Sequence, residues 1–442
     1  MTPPALNELP PEIILDVSDC LTSVDIKSLS LVDKTIRQYV VPQLFKHVKV
    51  DCPLPRDHVL QSVIAKYGTY VSRLRLQVTF YPNPPNSSYD GTKVDTTHAK
   101  ERWYWNDYPQ SVWARNADDV PVMHHLIGLP NCASLTVFTD GEDGFGIRGG
   151  WSENRALDMR FHVFDEPETY NQVRRAEGNY AWRQAHAEMW RDIARYSQVE
   201  RVELINFLPC KASSWVQPEW AEFLGRLEAL SLHAYGYDLG CIGQANSTAG
   251  FNTFYREMPV FLFAHTKRLE HLEIASHYGG YLGSDALRFA PYTLPRLRIL
   301  RLKDVCITAS LKEFLGEHSP NLESLRLDDC ASAAYPASSP ETPNDPNWGD
   351  FWEAVREGSP VLREVICEYT EIRPLSDGYI EVEDDSLIVW SYVEIEAPDG
   401  SVYDCLEVIE EKLAAGDDNR EYRLLMEELA RRQQSTRLQY LP

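Results

Sequence analysis

Along most of the chain an apolar triplet recurs at positions i, i+3 and i+5. It reads Val71/Leu74/Leu76, Cys132/Leu135/Val137, Val199/Val202/Leu204 and Leu227/Leu230/Leu232. It continues as Leu269/Leu272/Ile274, Leu297/Leu300/Leu302, Leu322/Leu325/Leu327 and Leu362/Val365/Cys367, and Phe45/Val48/Val50 fits the same template as a first member. The last two residues of each triplet are two apart, so they share one face of a short strand, while the first sits in the turn entering it. Between triplets the period becomes helical, as in Trp220–Leu224, Leu311–Leu315 and Phe351–Val355. Several of these stretches end in a Gly or Pro stop, among them Gly316 to Pro320 and Gly358-Ser359-Pro360. A short strand, a helix and a return to a parallel neighbour predict an α/β chain of units, each burying its apolar face against the next.

The repeat resembles the leucine-rich repeat, whose L-x-x-L-x-L motif the triplets match. The resemblance implies an irregular leucine-rich-repeat solenoid over residues 46–373, with short parallel strands. Successive second positions lie 28 (202 to 230), 42 (230 to 272), 28 (272 to 300), 25 (300 to 325) and 40 (325 to 365) residues apart. The longer intervals contain insertions, and the family's asparagine ladder is absent at 205–208, 233–236 and 303–306 apart from Asn206. An ordinary α/β domain with leucine-rich strands is the alternative. Three interruptions are expected: a polar and aromatic one at 81–130, one at 140–198 that ends in a helix around Ala181–Trp190, and a surface loop at 331–350. Residues 374–442 read as an acidic C-terminal capping region, with fourteen acids and the single base Lys412 in 374–418 and an amphipathic helix at about Asp418–Gln433.

The first forty-five residues have a different pattern. Pro10, Pro11 and Glu12 suit a helix start, and Ile13, Ile14, Val17 and Leu21 form an apolar stripe after it. Ile26, Leu29 and Val32 make a second stripe, and Ile36, Tyr39 and Val40 a third, predicting three short helices. This segment, 1–45, resembles an F-box: a Leu-Pro-x-Glu-Ile opening at Leu9, Pro10, Glu12 and Ile13, a helix end at Leu21, an Asp-Ile pair at Asp25-Ile26, and a Leu-x-x-Val stretch from Leu29 to Lys34. Asp33 and Ile36 depart from the pattern, standing where a small residue and an aromatic are common. The resemblance implies docking to the Skp-type adaptor of a cullin–RING ubiquitin ligase, through Leu9, Pro10, Ile13, Ile14, Leu21, Ile26, Leu29 and Val32, with Lys34 at the rim. The repeats would then hold a protein substrate. Alternatives are helices that merely cap the repeat array, a non-catalytic scaffold that uses the segment for assembly, or an enzyme with a site in the 81–198 insertions.

Composition narrows the classes. The chain has 442 residues, with 43 Lys and Arg against 66 Asp and Glu, a net charge of −23. Such an acid excess disfavours generic binding to nucleic acid or anionic lipid. No apolar run is long enough to span a bilayer and the start carries no secretory signal pattern, so a soluble protein of the cytoplasm, the nucleus or both is expected. Nine scattered cysteines without a C-x-x-C pair suggest neither a disulfide framework nor a zinc site.

Chemistry-bearing motifs are weak. Gly144 to Gly149 spells G-x-G-x-x-G, but acids precede it and no helical period follows, so it reads as a loop. His124-His125 read as surface groups rather than metal ligands. No catalytic residue, metal or cofactor is expected. Two candidate substrate surfaces remain. Trp103, Trp105 and Trp113 could form a recognition loop or anchor a long excursion. Arg301, Lys303 and Arg326 point outward from neighbouring strands and could receive an acidic or phosphorylated segment, unless Asp304, Asp328 and Asp329 neutralise them.

Overall fold

The computed structural model describes residues 9–54, 59–80, 112–113, 117–139, 167–179, 181–234, 249–276, 282, 287–333, 346–368, 387–395 and 402–439. Trp103, Trp105, the glycine motif at 144–149 and much of the acidic stretch lie outside them. The chain forms two compact units, Met1–Asp140 with Tyr180–Val202, and Gly141–Asn179 with Glu203–Pro442. Among the described residues no helix is long and apolar enough to cross a membrane.

The first unit opens with three helices, α1 (Pro11–Asp19), α2 (Ser23–Leu29) and α3 (Lys34–Leu44). Three strands follow, β1 (His47–Cys52), β2 (Arg73–Val78) and β3 (Ser134–Thr139), paired in parallel in the order β1-β2-β3. Helices Val59–Tyr67 and Val120–Ile127 return the chain between them, and Ala181–Tyr196 follows β3. Triplet residues align in register, Val50 with Leu76 with Val137, and all three are buried. Phe45, the first member of the first triplet, stacks on Tyr67 with centroids 4.0 Å apart. The interruption expected over 81–130 is shorter than its bounds. Val120, Met123 and Leu126/Ile127 have a helical period behind Pro121, and Met123, Leu126 and Ile127 are buried.

A further strand, β4 (Arg201–Phe207), carries the boundary. The second unit repeats the strand pattern with β5 (Ala229–Ala234), β6 (His271–Ala275), β7 (Ile299–Lys303), β9 (Ser324–Asp328) and β11 (Glu364–Glu368), adjacent in that order and all parallel. One row of partners runs Leu230, Leu272, Leu300, Leu325, Val365 and the next runs Leu232, Ile274, Leu302, Leu327, Cys367. The aliphatic members of these rows are at most 7% exposed, each contributing about 1.5–3 kcal/mol of burial. The leading residues Leu227, Leu269, Leu297, Leu322 and Leu362 are also buried, in the entering turns. Helices Pro218–Arg226, Ala309–Glu317 and Trp348–Gly358 occupy the stretches with helical period.

Three strands share a device at or just past their last residues. Asn206, Asp304 and Asp329 have φ of 55°, 53° and 50°, and each stands two residues after the last triplet member, Leu204, Leu302 or Leu327. Asn and Asp tolerate this left-handed conformation better than other side-chain-bearing residues. After the turns at 304 and 329 the chain enters a second small sheet. Here β8 (Cys306–Ile307), β10 (Ala331–Ala333) and β12 (Tyr392–Ile395) pair in parallel, and β13 (Val402–Asp404) pairs antiparallel with β12. The stretch 331–350, expected as a surface loop, thus begins with a buried strand and ends in the helix capped by Asn347, whose side chain accepts from the Asp350 N–H. The amphipathic C-terminal helix spans Asp417–Gln439 and packs on helix Trp348–Gly358. Leu425 and Leu429 are its buried contacts.

Candidate functional site

Among the described residues, fourteen large apolar side chains are exposed, and five of them, Ile13, Val17, Val24, Leu31 and Val32, fall within twenty residues of the N-terminal helices. Such a concentration calls for an explanation in terms of what the three-helix unit buries by itself. Its core is Ile14, Ile26, Ile36 and Val40, with Leu9, Leu21, Leu29, Tyr39 and Leu44 packed against them. The helices are locally well specified. Thr22 caps α2, accepting from the Asp25 N–H, and Asp33 caps α3, accepting from the N–H groups of Thr35 (2.7 Å) and Ile36 (3.4 Å). Those N–H groups hold the Asp33 carboxyl below its ordinary range. Gln43 on α3 donates to Asp19 on α1.

This core corrects part of the sequence reading. Ile14 and Ile26 are 2% and 8% exposed, and Leu9, Leu21 and Leu29 pack on the same cluster, so these five hold the helices together. A forty-residue unit must place most of its regular stripe inside to be stable. Pro10, Ile13, Val32 and Lys34 remain on the surface, with Ile13 at 44% and Val32 at 67%. Val24 and Leu31 join them, together with Val17, a stripe member that lies outward. For Val24 and Leu31 the signal was present in the sequence: apolar residues beside the stripes rather than on them. The two departures from the resemblance also have structural roles, Asp33 as a cap and Ile36 as core.

The second candidate surface is the outward side of the later strands. In register it presents Ser231, Glu273, Arg301, Arg326 and Ile366 in one row and His233, Ala275, Lys303, Asp328 and Glu368 in the next. Arg301 and Arg326 are Cα partners, as the spacing predicts, and Arg301 and Lys303 are exposed. The row is nevertheless not a free cationic stripe. Arg326 Nε donates to both Asp328 oxygens at 2.9 Å and Nη2 donates to Glu368 at 2.8 Å. His233 and, more weakly, Arg301 and Arg326 hold the Glu273 carboxyl below its usual range. Asp328 and Glu368 therefore neutralise the site proposed for Arg326.

Trp113 is not a recognition residue on the surface. It is 1% exposed, its carbonyl accepts the Leu54 N–H, and its Nε1 donates to Asp192 Oδ2 at 2.9 Å. Asp192 is buried on helix Ala181–Tyr196, where His124 Nε2 lies 3.1 Å from the same oxygen and Arg191 Nε 3.3 Å from the other. A buried carboxylate requires such donors, which makes Trp113 an anchor of its segment. His124 is likewise not a plain surface group. It is half-buried and stacks on Tyr196 with centroids 4.2 Å apart, whereas His125 is exposed.

Among the described residues one group, Glu313, Glu317 and His318 at the end of helix Ala309–Glu317, brings metal-compatible atoms within 4.8 Å of one another, at the surface. The eight described cysteines are free thiols, five of them buried, and burial pushes the Cys367 thiol up to about 12. No protein-family model matches this chain, and no curated protein matches it either.

Proposed function

We propose that this chain is a substrate-recognition subunit of a cullin–RING ubiquitin ligase, with residues 1–45 acting as an F-box and the parallel strands as an irregular leucine-rich-repeat solenoid. The observation that carries the reading is the surplus of exposed apolar side chains on a three-helix unit whose own core is complete. Pro10, Ile13, Val17, Val24, Leu31 and Val32 make the contacts to a Skp-type adaptor, and Lys34 lies beside them. Ile14, Ile26, Ile36 and Val40 act only by holding the helices in place. The repeats present a protein substrate, and the chain itself performs no bond chemistry.

Co-purification of the full chain with a Skp-type adaptor tests this. Ile13→Asp with Val32→Asp places charge on exposed positions, so the fold persists while adaptor capture is lost. Capture that survives this double change, in a chain of unchanged melting temperature, contradicts the docking surface. Absence of any capture by the wild-type chain contradicts the assignment as a whole.

A further inference from the structure

The first unit holds a cationic surface that the sequence reading passed over. On the outward side of β1–β3 the register places His47 beside Arg73 and Ser134, and Lys49 beside Arg75 and Thr136. Lys46, His47, Lys49 and Arg73 are exposed and Arg75 is half-buried. One acid shares the face, Asp51, with an oxygen 3.7 Å from Lys49 Nζ. Among the described residues no carboxylate lies within ion-pair distance of Lys46, Arg73 or Arg75.

That is unusual in this chain. In the second unit cations meet acids directly: Arg268 with Glu228 (2.5 Å), Arg298 with Glu323 (2.8 Å) and Glu270 (3.4 Å), and Arg326 with Asp328 and Glu368. With 66 acids against 43 bases, two arginines on one strand that meet no carboxylate among the described residues are not what average composition gives. Arg75 is also held ready. Its guanidinium carbon lies 5.0 Å from the centroid of Phe138, and its Nε is buried without a hydrogen-bond partner. A guanidinium fixed over a ring loses little freedom on meeting an anion, and its planar fork suits phosphate or carboxylate. The local field agrees: burial, and then the charges of Arg73 and Lys46, pull the His47 pKa down.

We propose that the outward face of β1 and β2 is a receptor for an extended protein segment with phosphorylated or acidic side chains at alternate positions. Geometry selects the class. Neighbouring strands stand ~4.8 Å apart and alternate residues of one strand ~6.6 Å apart. The four positions His47, Lys49, Arg73 and Arg75 form a grid on that spacing. Side chains on one side of an extended peptide recur at the same ~6.6 Å step, so two alternate anions meet the His47/Arg73 pair and the Lys49/Arg75 pair in turn. Nucleic acid fits less well, because firm binding neutralises about six to ten phosphates and this patch offers four cations, Lys46, Lys49, Arg73 and Arg75, within a chain of net charge −23. Calling the bound segment a substrate rests on the function proposed above; the binding itself does not.

The test is fluorescence anisotropy on the full chain at low and at physiological salt. Three labelled peptides share an Ala/Gly background and carry phosphoserine, Glu or Ser at two alternate positions. The expected order is phosphoserine, then Glu, with no binding of the Ser peptide. Arg73→Gln with Arg75→Gln should weaken the phosphopeptide by about tenfold or more, while Arg298→Gln with Arg326→Gln leaves it unchanged. Circular dichroism melts establish that the variants fold, and if loss of Arg75 unfolds the chain, Lys49→Gln with Arg73→Gln takes its place at exposed positions. Failure of both anionic peptides, or binding indifferent to these changes, overturns the proposal. A single-stranded RNA oligonucleotide that binds more tightly than the phosphopeptide and is lost with the same variants overturns the peptide assignment. Adaptor capture, measured on the same samples, reports separately on the ligase reading.

Discussion

Two glycines at one helix crossing offer a sharp test of the packing. Helix Trp348–Gly358 ends against helix Ala309–Glu317, and a Cβ built on Gly358 would lie 2.0 Å from the Gly316 carbonyl oxygen and 2.3 Å from its Cα. Normal contact is about 3.4 Å or more, so Gly358→Ala forces the backbones apart by more than 1 Å. That separation loosens the contact where Phe314, Leu315 and Val355 are fully buried. Overpacking of this kind costs about 1–3 kcal/mol, against at most ~1 kcal/mol from better helix propensity. Gly316→Ala is the internal control. Its Cβ would meet the Ala354 Cβ at 3.5 Å, an ordinary contact, so this change should be neutral or stabilise by up to ~1 kcal/mol. Urea denaturation of both variants, with m-values compared to the wild type, gives the answer. A Gly358→Ala chain as stable as the wild type, or a Gly316→Ala chain as damaged as Gly358→Ala, would refute the close backbone approach.

Further predictions concern buried polar groups. Asp418 accepts from the Gly349 N–H and the Tyr392 hydroxyl, both at 2.7 Å, so Asp418→Ala should cost about 2–4 kcal/mol by leaving two donors without an acceptor, read by urea denaturation. Burial holds the Asp418 carboxyl above 3.8, so the native state binds this proton more tightly than the unfolded chain. Its contribution is therefore fully present below 3.8 and is lost as pH rises through the raised value, a slope that Asp418→Asn should remove from a stability–pH series. Trp113→Phe removes one donor to the buried Asp192 carboxylate and should cost about 1–3 kcal/mol in chemical denaturation.

The strands were legible because their signal is local. Leucines at i+3 and i+5 fall on one face of a pleated strand, and the register lines them up as the spacing implies. The outer face was harder, since neutralisation depends on which strands become neighbours. Asp328 lies two residues from Arg326, but Glu368 is 42 residues away and reaches it only across the β9–β11 pair. Gly358 reads as a helix stop and the helix does end there, but its backbone is not left-handed and the residue also serves a helix contact with distant Gly316. For Trp113 the sequence leaves a recognition loop and an anchor both open, because the partner that makes it an anchor, Asp192, is 79 residues on. In the N-terminal helices the apolar positions were identified, but not their division into core and surface. That division rests on helix rotation, which a stripe with apolar residues on two adjacent faces leaves open. Among those positions, Ile14 faces inward and Ile13 outward.

Hydrogen–deuterium exchange on the full chain, with and without a purified Skp-type adaptor, tests the docking claim most directly. Slowed exchange is predicted over Pro10–Val17, around Val24 and over Leu31–Lys34, with the strands around Arg301 and Arg326 unchanged. A complex that forms while residues 10–34 exchange as before, or an adaptor that leaves the whole chain unprotected, would contradict the account.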